Sequence, residues 1–134
     1  MNMCIFCDII EGKIPSYKIY EDEKTYAFLD ISCDYYGHTL VIPKHHCKNV
    51  LDANSDDLNA VINTIQVISK HYTKDLGFDG VNILNASGES AEQSVFHLHF
   101  HIIPRKTGDG LHTYPTRDKL DINLEDVKNR LKID

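Results

Sequence analysis

The chain has no block of lysine and arginine. Its 14 basic residues are scattered among 20 acidic ones, for a net charge of −6. Proteins that track a phosphodiester backbone cluster their cations, so a nucleic-acid-binding role is not expected. There is also no run of about 18 apolar residues, so no membrane-spanning helix is expected. The opening MNMCIFCDII lacks the basic start and apolar stretch of an export signal. These absences read as a soluble, cytoplasmic chain, in which the four cysteines are thiols or metal ligands rather than disulfides. With no internal repeat or low-complexity segment, the 134 residues suit one globular domain. A small anionic ligand remains compatible with the acidic balance, because local amides and imidazoles can hold one.

What is present is a sequence of short, well-punctuated elements. Residues 4–11 suit a short helical turn, closed by Gly12 and Pro15. YKIYED (17–22) and KTYAFLD (24–30) read as a strand hairpin, and GHTLVIPK (37–44) as another strand. From Ser55, a plausible N-cap, Leu58, Val61, Ile62, Ile65, Ile68 and Tyr72 recur at helical spacing. Asp56 and Asp57 suit the positive end of that helix, Lys70 and Lys74 the negative end, and Gly77 stops it. GVNILNA (80–86) returns to strand, and a polar loop, SGESAEQS, leads to a last strand ending at Pro104. A short helix is expected around residues 123–132. Five strands in hairpin-like order with one long helix predict an α+β fold, an antiparallel sheet with the helix on one face.

The last strand contains HLHFHII (97–103), with three of the eight histidines on alternate positions. Alternate residues of a strand share a face, so His97, His99 and His101 form a row opposite Leu98, Phe100 and Ile102. An accidental polar face, a chelating metal site and a nucleophilic centre are the three readings of such a row. A second constellation, Cys4-x-x-Cys7, reads as redox or metal-binding. It has no preceding strand and opens no long helix, which disfavours a thioredoxin-like site.

HLHFHII resembles the His-x-His-x-His-x-x signature of the histidine triad family of nucleotide hydrolases and transferases. CIFCDIIEGKIPSYKIYED, AFLDI, GHTLVIPKHH and EQSVFHLHFHIIPR are similar to that family in order and separation, over roughly residues 4–110. The likeness is greatest to small bacterial-type members with an N-terminal Cys-x-x-Cys. It implies a domain over 4–110 followed by a tail, 111–134. The fold implied is a five-stranded antiparallel sheet with one long helix packed on it and a short C-terminal helix.

The resemblance also assigns roles. His99 would attack the α-phosphorus of a nucleotide and become covalently nucleotidylated, with its Nδ1–H held by a backbone carbonyl so that Nε2 faces substrate. His101 and His38 would donate to phosphate oxygens. Gln93 and Ser94 match phosphate-side positions, and Asp30 matches the acceptor of the ribose hydroxyls. Ile5, Phe6, Ile9, Phe28 and Ile31 match the apolar lining around the base, a slot that discriminates weakly between purines. Two departures stand out. Glu92 occupies a position where the family usually has glycine. Ala86 stands where it tends to have Asn or Gln, with Asn85 beside it as the substitute candidate.

For the cysteine pair, the resemblance supplies His46 and His97 as further ligands, giving a Cys₂His₂ structural zinc site. His45 and Cys47 flank His46 as alternatives, and Cys33 is left as a buried or idle thiol. The activity implied is cleavage of nucleoside 5′-phosphoramidates or related nucleotidyl conjugates, with dinucleoside polyphosphate hydrolysis as the alternative and a non-catalytic nucleotide-binding protein as a different class. The tail GDGLHTYP lacks the tryptophan of some phosphoramidase members. A homodimer joined through the long helix and the 80–86 strand is implied by analogy.

Overall fold

The computed structural model describes residues 4–134. Helix α1 (Ile5–Ile10) is capped by Cys4, whose sulfur accepts the Cys7 amide at 3.3 Å. Strands β1 (Lys18–Glu21) and β2 (Thr25–Leu29) form the expected hairpin. Its turn is pinned by Asp22 Oδ1, which accepts the Lys24 and Thr25 amides at 2.9 and 2.8 Å. Strand β3 (Thr39–Pro43) follows, then α2 (Ser55–Lys70), β4 (Gly80–Leu84), β5 (Phe100–Arg105) and α3 (Leu124–Leu131).

All strand pairs are antiparallel, in the order β1-β2-β3-β5-β4. A simple run of hairpins would put β4 beside β3. Instead α2 carries the chain across one face to the far edge, and β5 fills the gap. The strand in which the histidine row ends is thereby internal, between β3 and β4.

Alternation along the strands sorts the core onto two faces. Ala27, Val41 and Ile102 pack under Val61, Ile65, Ile68 and Tyr72 of the α2 segment. Tyr26, Phe28, Leu40 and Ile42 face the other way, against Phe6 and Ile9 of α1. Each buried Val, Leu, Ile or Phe side chain contributes about 1.5–3 kcal/mol, which is what fixes α2 and the short α1 on the sheet.

Several expectations are corrected. The N-cap of α2 is Asn54, whose Oδ1 accepts the Asp57 amide at 2.8 Å, and Ser55 is already helical. Ile62 of the apolar stripe is 50% exposed, because the stripe is wider than the face the sheet covers. The helix does not simply stop at Gly77: a π-helical turn, His71–Asp75, comes first, and it carries Tyr72 into the core. Cys33 is exposed, not buried, in a turn with φ +57°. Strand β5 begins at Phe100, so His97 and His99 precede it. Among the described residues no helix is long and apolar enough to cross a membrane.

Gly37 sets the entry to β3. Its φ is +78°, and a Cβ there would lie 3.0 Å from the Pro104 ring. Only glycine lets the chain turn into β3 that close to β5, and the residue it delivers is His38.

Candidate functional site

The row of three histidines keeps one face although its first two members lie outside the strand. Phe6 of α1 stands edge-on to both His97 and His99, with centroids 5.9 and 5.2 Å away. The His99 and His101 rings are 5.1 Å apart. Each ring meets different partners, and those partners fix its protons.

At the first ring, His97 Nε2 donates to the Pro43 carbonyl at 2.8 Å, because a carbonyl can only accept. Nδ1 is then a bare lone pair. It lies 3.3 Å from Cys4 Sγ, 3.5 Å from Cys7 Sγ and 3.1 Å from His46 Nδ1, and Cys7 Sγ is 3.4 Å from His46 Nδ1. These four donor atoms all lie within 4.8 Å of one another. A tetrahedron drawn with zinc–nitrogen and zinc–sulfur bonds of about 2.0–2.3 Å has edges of about 3.3–3.8 Å. The cluster therefore has the size and donor chemistry of a closed four-ligand site, with the Pro43 carbonyl as the outer partner that orients one ligand. Burial first of all, then the nearby His46 and His99, pushes the His97 imidazole down to about 4, so it stays neutral as a ligand must. His45 is not in this set: its Nδ1 bonds Asp57 Oδ2 at 2.7 Å at the start of α2. Nor is Cys47, a buried thiol pushed up to about 11 by desolvation and by Asp52 and Asp57.

At the middle ring, His99 Nδ1 donates to the His97 carbonyl at 2.8 Å. Its Nε2 is left with a lone pair, and the ring lines a cavity of about 240 Å³. Burial first of all, with His38, lowers the His99 pKa against the pull of the carbonyl contact and Asp30, which favours the uncharged ring. Asn85, at the end of β4, donates from Nδ2 to the His99 carbonyl at 2.9 Å and so braces this segment rather than lining the cavity.

At the third ring, His101 Nδ1 lies 2.8 Å from His38 Nε2. The register explains the meeting: Leu40 pairs with His101, so His38 is the diagonal neighbour two residues earlier. Burial, then His99 and His38, pushes His101 down to about 4 against the pull of Asp30 and Asp34.

The cavity wall also holds Ile5, Phe6, Ile9, Phe28, Asp30, Ile31 and Ser94. Ile31 reaches it because β2 ends at Leu29 and the chain turns. One oxygen of Asp30 accepts the Ser32 amide at 2.7 Å, and the other lies 3.8 Å from His38 Nε2. Gln93 is placed differently from the expectation. Its side chain is buried and donates to the Lys48 and Val95 carbonyls, while its Oε1 accepts from Gly88 and Asn49. Its own amide donates to Gly88, so Gln93 builds the loop and offers nothing to the cavity. Sequence reasoning passed over Ile14, Pro15 and Val95 of the wall, and over Asp34, which bonds His38. The only available signal for Asp34 was an acid one helical turn's spacing before a histidine. A larger hollow of about 560 Å³ shares Leu29 and Asp30 with this wall and takes in His38, but contains neither His99 nor His101.

The family model described as the HIT domain matches residues 11–108, and the chain belongs to the HIT family. Its structure is similar to a crystal structure of a HIT family member from Bacillus subtilis, at 45% identity and a TM-score of 0.83, covering 96% of this chain and 92% of that one. It is similar also to a zinc-bound histidine triad family protein from Mycobacterium smegmatis, at 38% identity and a TM-score of 0.79, covering 87% and 84%. Among curated proteins, adenosine 5′-monophosphoramidase HNT1 of Candida albicans is 41% identical over 107 residues, 77% of this chain and 70% of that protein.

Proposed function

We propose that the protein is a hydrolase of nucleoside 5′-phosphoramidates or related nucleotidyl conjugates, acting through a covalent nucleotidyl-His99. The observation that carries this is the His99 ring: proton held by the His97 carbonyl, lone pair at the cavity wall. In the first step Nε2 bonds the α-phosphorus, and the phosphorus–nitrogen bond breaks with its electron pair on the departing amine. In the second, water attacks the same phosphorus and the pair returns to Nε2. Splitting the substitution lowers each barrier. Asp30 would accept the ribose hydroxyls with the oxygen not bound to Ser32. Phe6, Phe28 and the isoleucines would flank a purine, and Ser94 would meet the phosphate side.

The Cys4, Cys7, His46 and His97 set would hold a structural zinc ion, whose part is to tie α1, one wall of the cavity, to the chain leading into β5. A homodimer is part of the same reading, supported by the open outer edge of β4 and by Ile62 and Ile83, which are exposed.

The test is to incubate the protein with adenosine phosphoramidate and, separately, with diadenosine polyphosphates, quench under conditions that preserve phosphohistidine, and weigh the intact chain. The expected result is a transient adenylyl adduct on His99, absent in His99→Ala, with faster turnover of the phosphoramidate. Faster turnover of the polyphosphates would move the assignment to that class. Turnover of neither, with the metal content verified, would leave a nucleotide-binding protein.

A further inference from the structure

The hydrogen bonds of the third ring do not end at His38. Asp34 Oδ1 lies 2.7 Å from His38 Nδ1, and His38 Nε2 lies 2.8 Å from His101 Nδ1. The second contact has the length of an ordinary N–H···N bond, shorter than the separation of about 3.3 Å between two nitrogens on one tetrahedral zinc ion. We propose that Asp34 is a positioning residue that turns His38 and His101 into one proton-holding pair, giving His101 a proton to lend the departing group and a place to return it.

A carboxylate oxygen can only accept, so His38 Nδ1 permanently carries a hydrogen. The variable proton of His38 is on Nε2. With the pair neutral, His101 Nδ1–H donates to His38 Nε2, and His101 Nε2 is a bare base. With one more proton, His38 Nε2–H donates to His101 Nδ1, and His101 Nε2 bears a hydrogen towards the cavity. His101 thus alternates between acid and base, while the positive charge rests on His38.

That division is needed because His101 alone resists charge: its pKa is pushed down to about 4, first by burial. His38 offers the better seat, with Asp34 on Nδ1 and Asp30 Oδ2 3.8 Å from Nε2. Asp34 stays ionised. Burial alone would raise its carboxyl, but hydrogen bonds from His38 and Ser32 and from the Tyr35 amide outweigh it. Among the described residues its ion-pair partner is His38 alone. The other groups facing the pair are His99, from the segment just before β5, and the Tyr35 ring, edge-on to His38.

This inference rests on the proposed phosphoramidate hydrolysis and balances with it. As His99 Nε2 bonds phosphorus, the departing amine takes the His101 Nε2 proton, and the His38 Nε2 proton crosses to His101 Nδ1. The pair ends neutral. When water attacks, its proton goes to His101 Nε2, the Nδ1 proton returns to His38, and the first state is restored.

The test compares wild type with Asp34→Asn, which keeps an acceptor for Nδ1–H but removes the charge, and with Asp34→Glu. The side-chain nitrogens of His38 and His101 are titrated by NMR, and the pH profile of phosphoramidate turnover is measured on the same proteins. The expected result is that Asp34→Asn lowers the pair's midpoint by about 1–2 pH units. The alkaline limb of kcat moves down equally, KM changes little, and Asp34→Glu recovers part of both. Asp75→Asn serves as control, since Asp75 holds His71 at the same i,i+4 spacing and 2.8 Å on the open surface, and it should move neither. An unchanged midpoint and profile in Asp34→Asn would overturn the proposal, as would a His38 Nδ1 without hydrogen. If the midpoint shifts but no variant, wild type included, turns over substrate, the proton-holding pair stands and the hydrolase assignment is what fails.

Discussion

His97 and His101 are the same residue type, four positions apart on one face, and the fold gives them opposite surroundings. His97 is fully buried, with its lone pair turned to two sulfurs and another imidazole. His101 lines the cavity and leans on an imidazole backed by a carboxylate. The soft donors at one end suit a cation that stays, and the hard, ionised chain at the other suits a proton that moves. A histidine's role is therefore set by what bonds its second nitrogen, and the three rings can be separated experimentally on that basis.

The largest effect belongs to the ring between the two ends. Replacing His99 by alanine removes the lone pair proposed to attack, and kcat for phosphoramidate should fall on the order of 10⁴–10⁶-fold, as for loss of a nucleophile elsewhere. The fold should survive, since the side-chain hydrogen bonds of His97 to Pro43 and of His101 to His38 do not run through the His99 side chain. Single-turnover kinetics with intact-mass detection checks this. A retained adduct in His99→Ala would mean that one of the end rings is the nucleophile and that the row divides its tasks differently.

Next comes the metal end. Cys4→Ser, or a strong chelator, should release about one zinc per chain and lower Tm by on the order of 10 °C, a few kcal/mol for a chain of this length. Activity should fall too, because α1 forms a wall of the cavity. Elemental analysis alongside calorimetry decides it. Equal metal content in Cys4→Ser and wild type would remove the four-ligand proposal and leave the catalytic end standing.

How much of this contrast could be read before the fold was known depends on the range of the interactions. Local signals sufficed for the hairpin, for the single long helix and for the row itself, since alternation and helical spacing are properties of neighbours in the chain. The resemblance placed His38, Asp30 and the cysteines near the row, but their bonding is a matter of register. His38 meets His101 only because Leu40 pairs with His101 across β3 and β5. His46 is selected over His45 because Asp57 of α2 captures the latter. Gln93 could not be distinguished from a phosphate contact without seeing Lys48, Asn49 and Gly88 close around it. Ser55 and Asn54 are both good caps, and one residue of slippage lies within what sequence signals can separate.

Acid should test the buried end through stability. The unfolded chain takes a proton on His97 near its ordinary 6.5, whereas the folded one refuses it until about 4. The folded pKa is the depressed one, so the contribution is fully present above 6.5 and is lost as pH falls from 6.5 to 4. One such group amounts to up to about 3 kcal/mol. Bound metal would deepen the loss, because protonated His97 cannot ligate. The urea midpoint should fall steeply between pH 6.5 and 4.5 in wild type and less steeply in His97→Asn. Parallel slopes would show that another group carries the acid sensitivity.

The smallest effect lies in the loop that feeds the row. Glu92 has φ +68° and ψ +30°, a left-handed conformation that an L side chain adopts at a cost of about 1–2 kcal/mol. This is the position where the resemblance leads one to expect glycine. The strain is tolerated because Gln93, locked by four side-chain hydrogen bonds, dictates the turn before it. Glu92→Gly should relieve the strain while gaining unfolded-state freedom of about 0.5–1 kcal/mol. The net is a stabilisation of about 1 kcal/mol or less, read as a small rise in urea midpoint with an unchanged m-value. Neither end of the row should notice: zinc content and the His38/His101 midpoint should stay as in wild type. Destabilisation by Glu92→Gly would mean that the exposed carboxylate makes a contact worth more than the strain. The loop would then belong to the site chemically, and not only as the frame that holds Ser94 at the cavity wall.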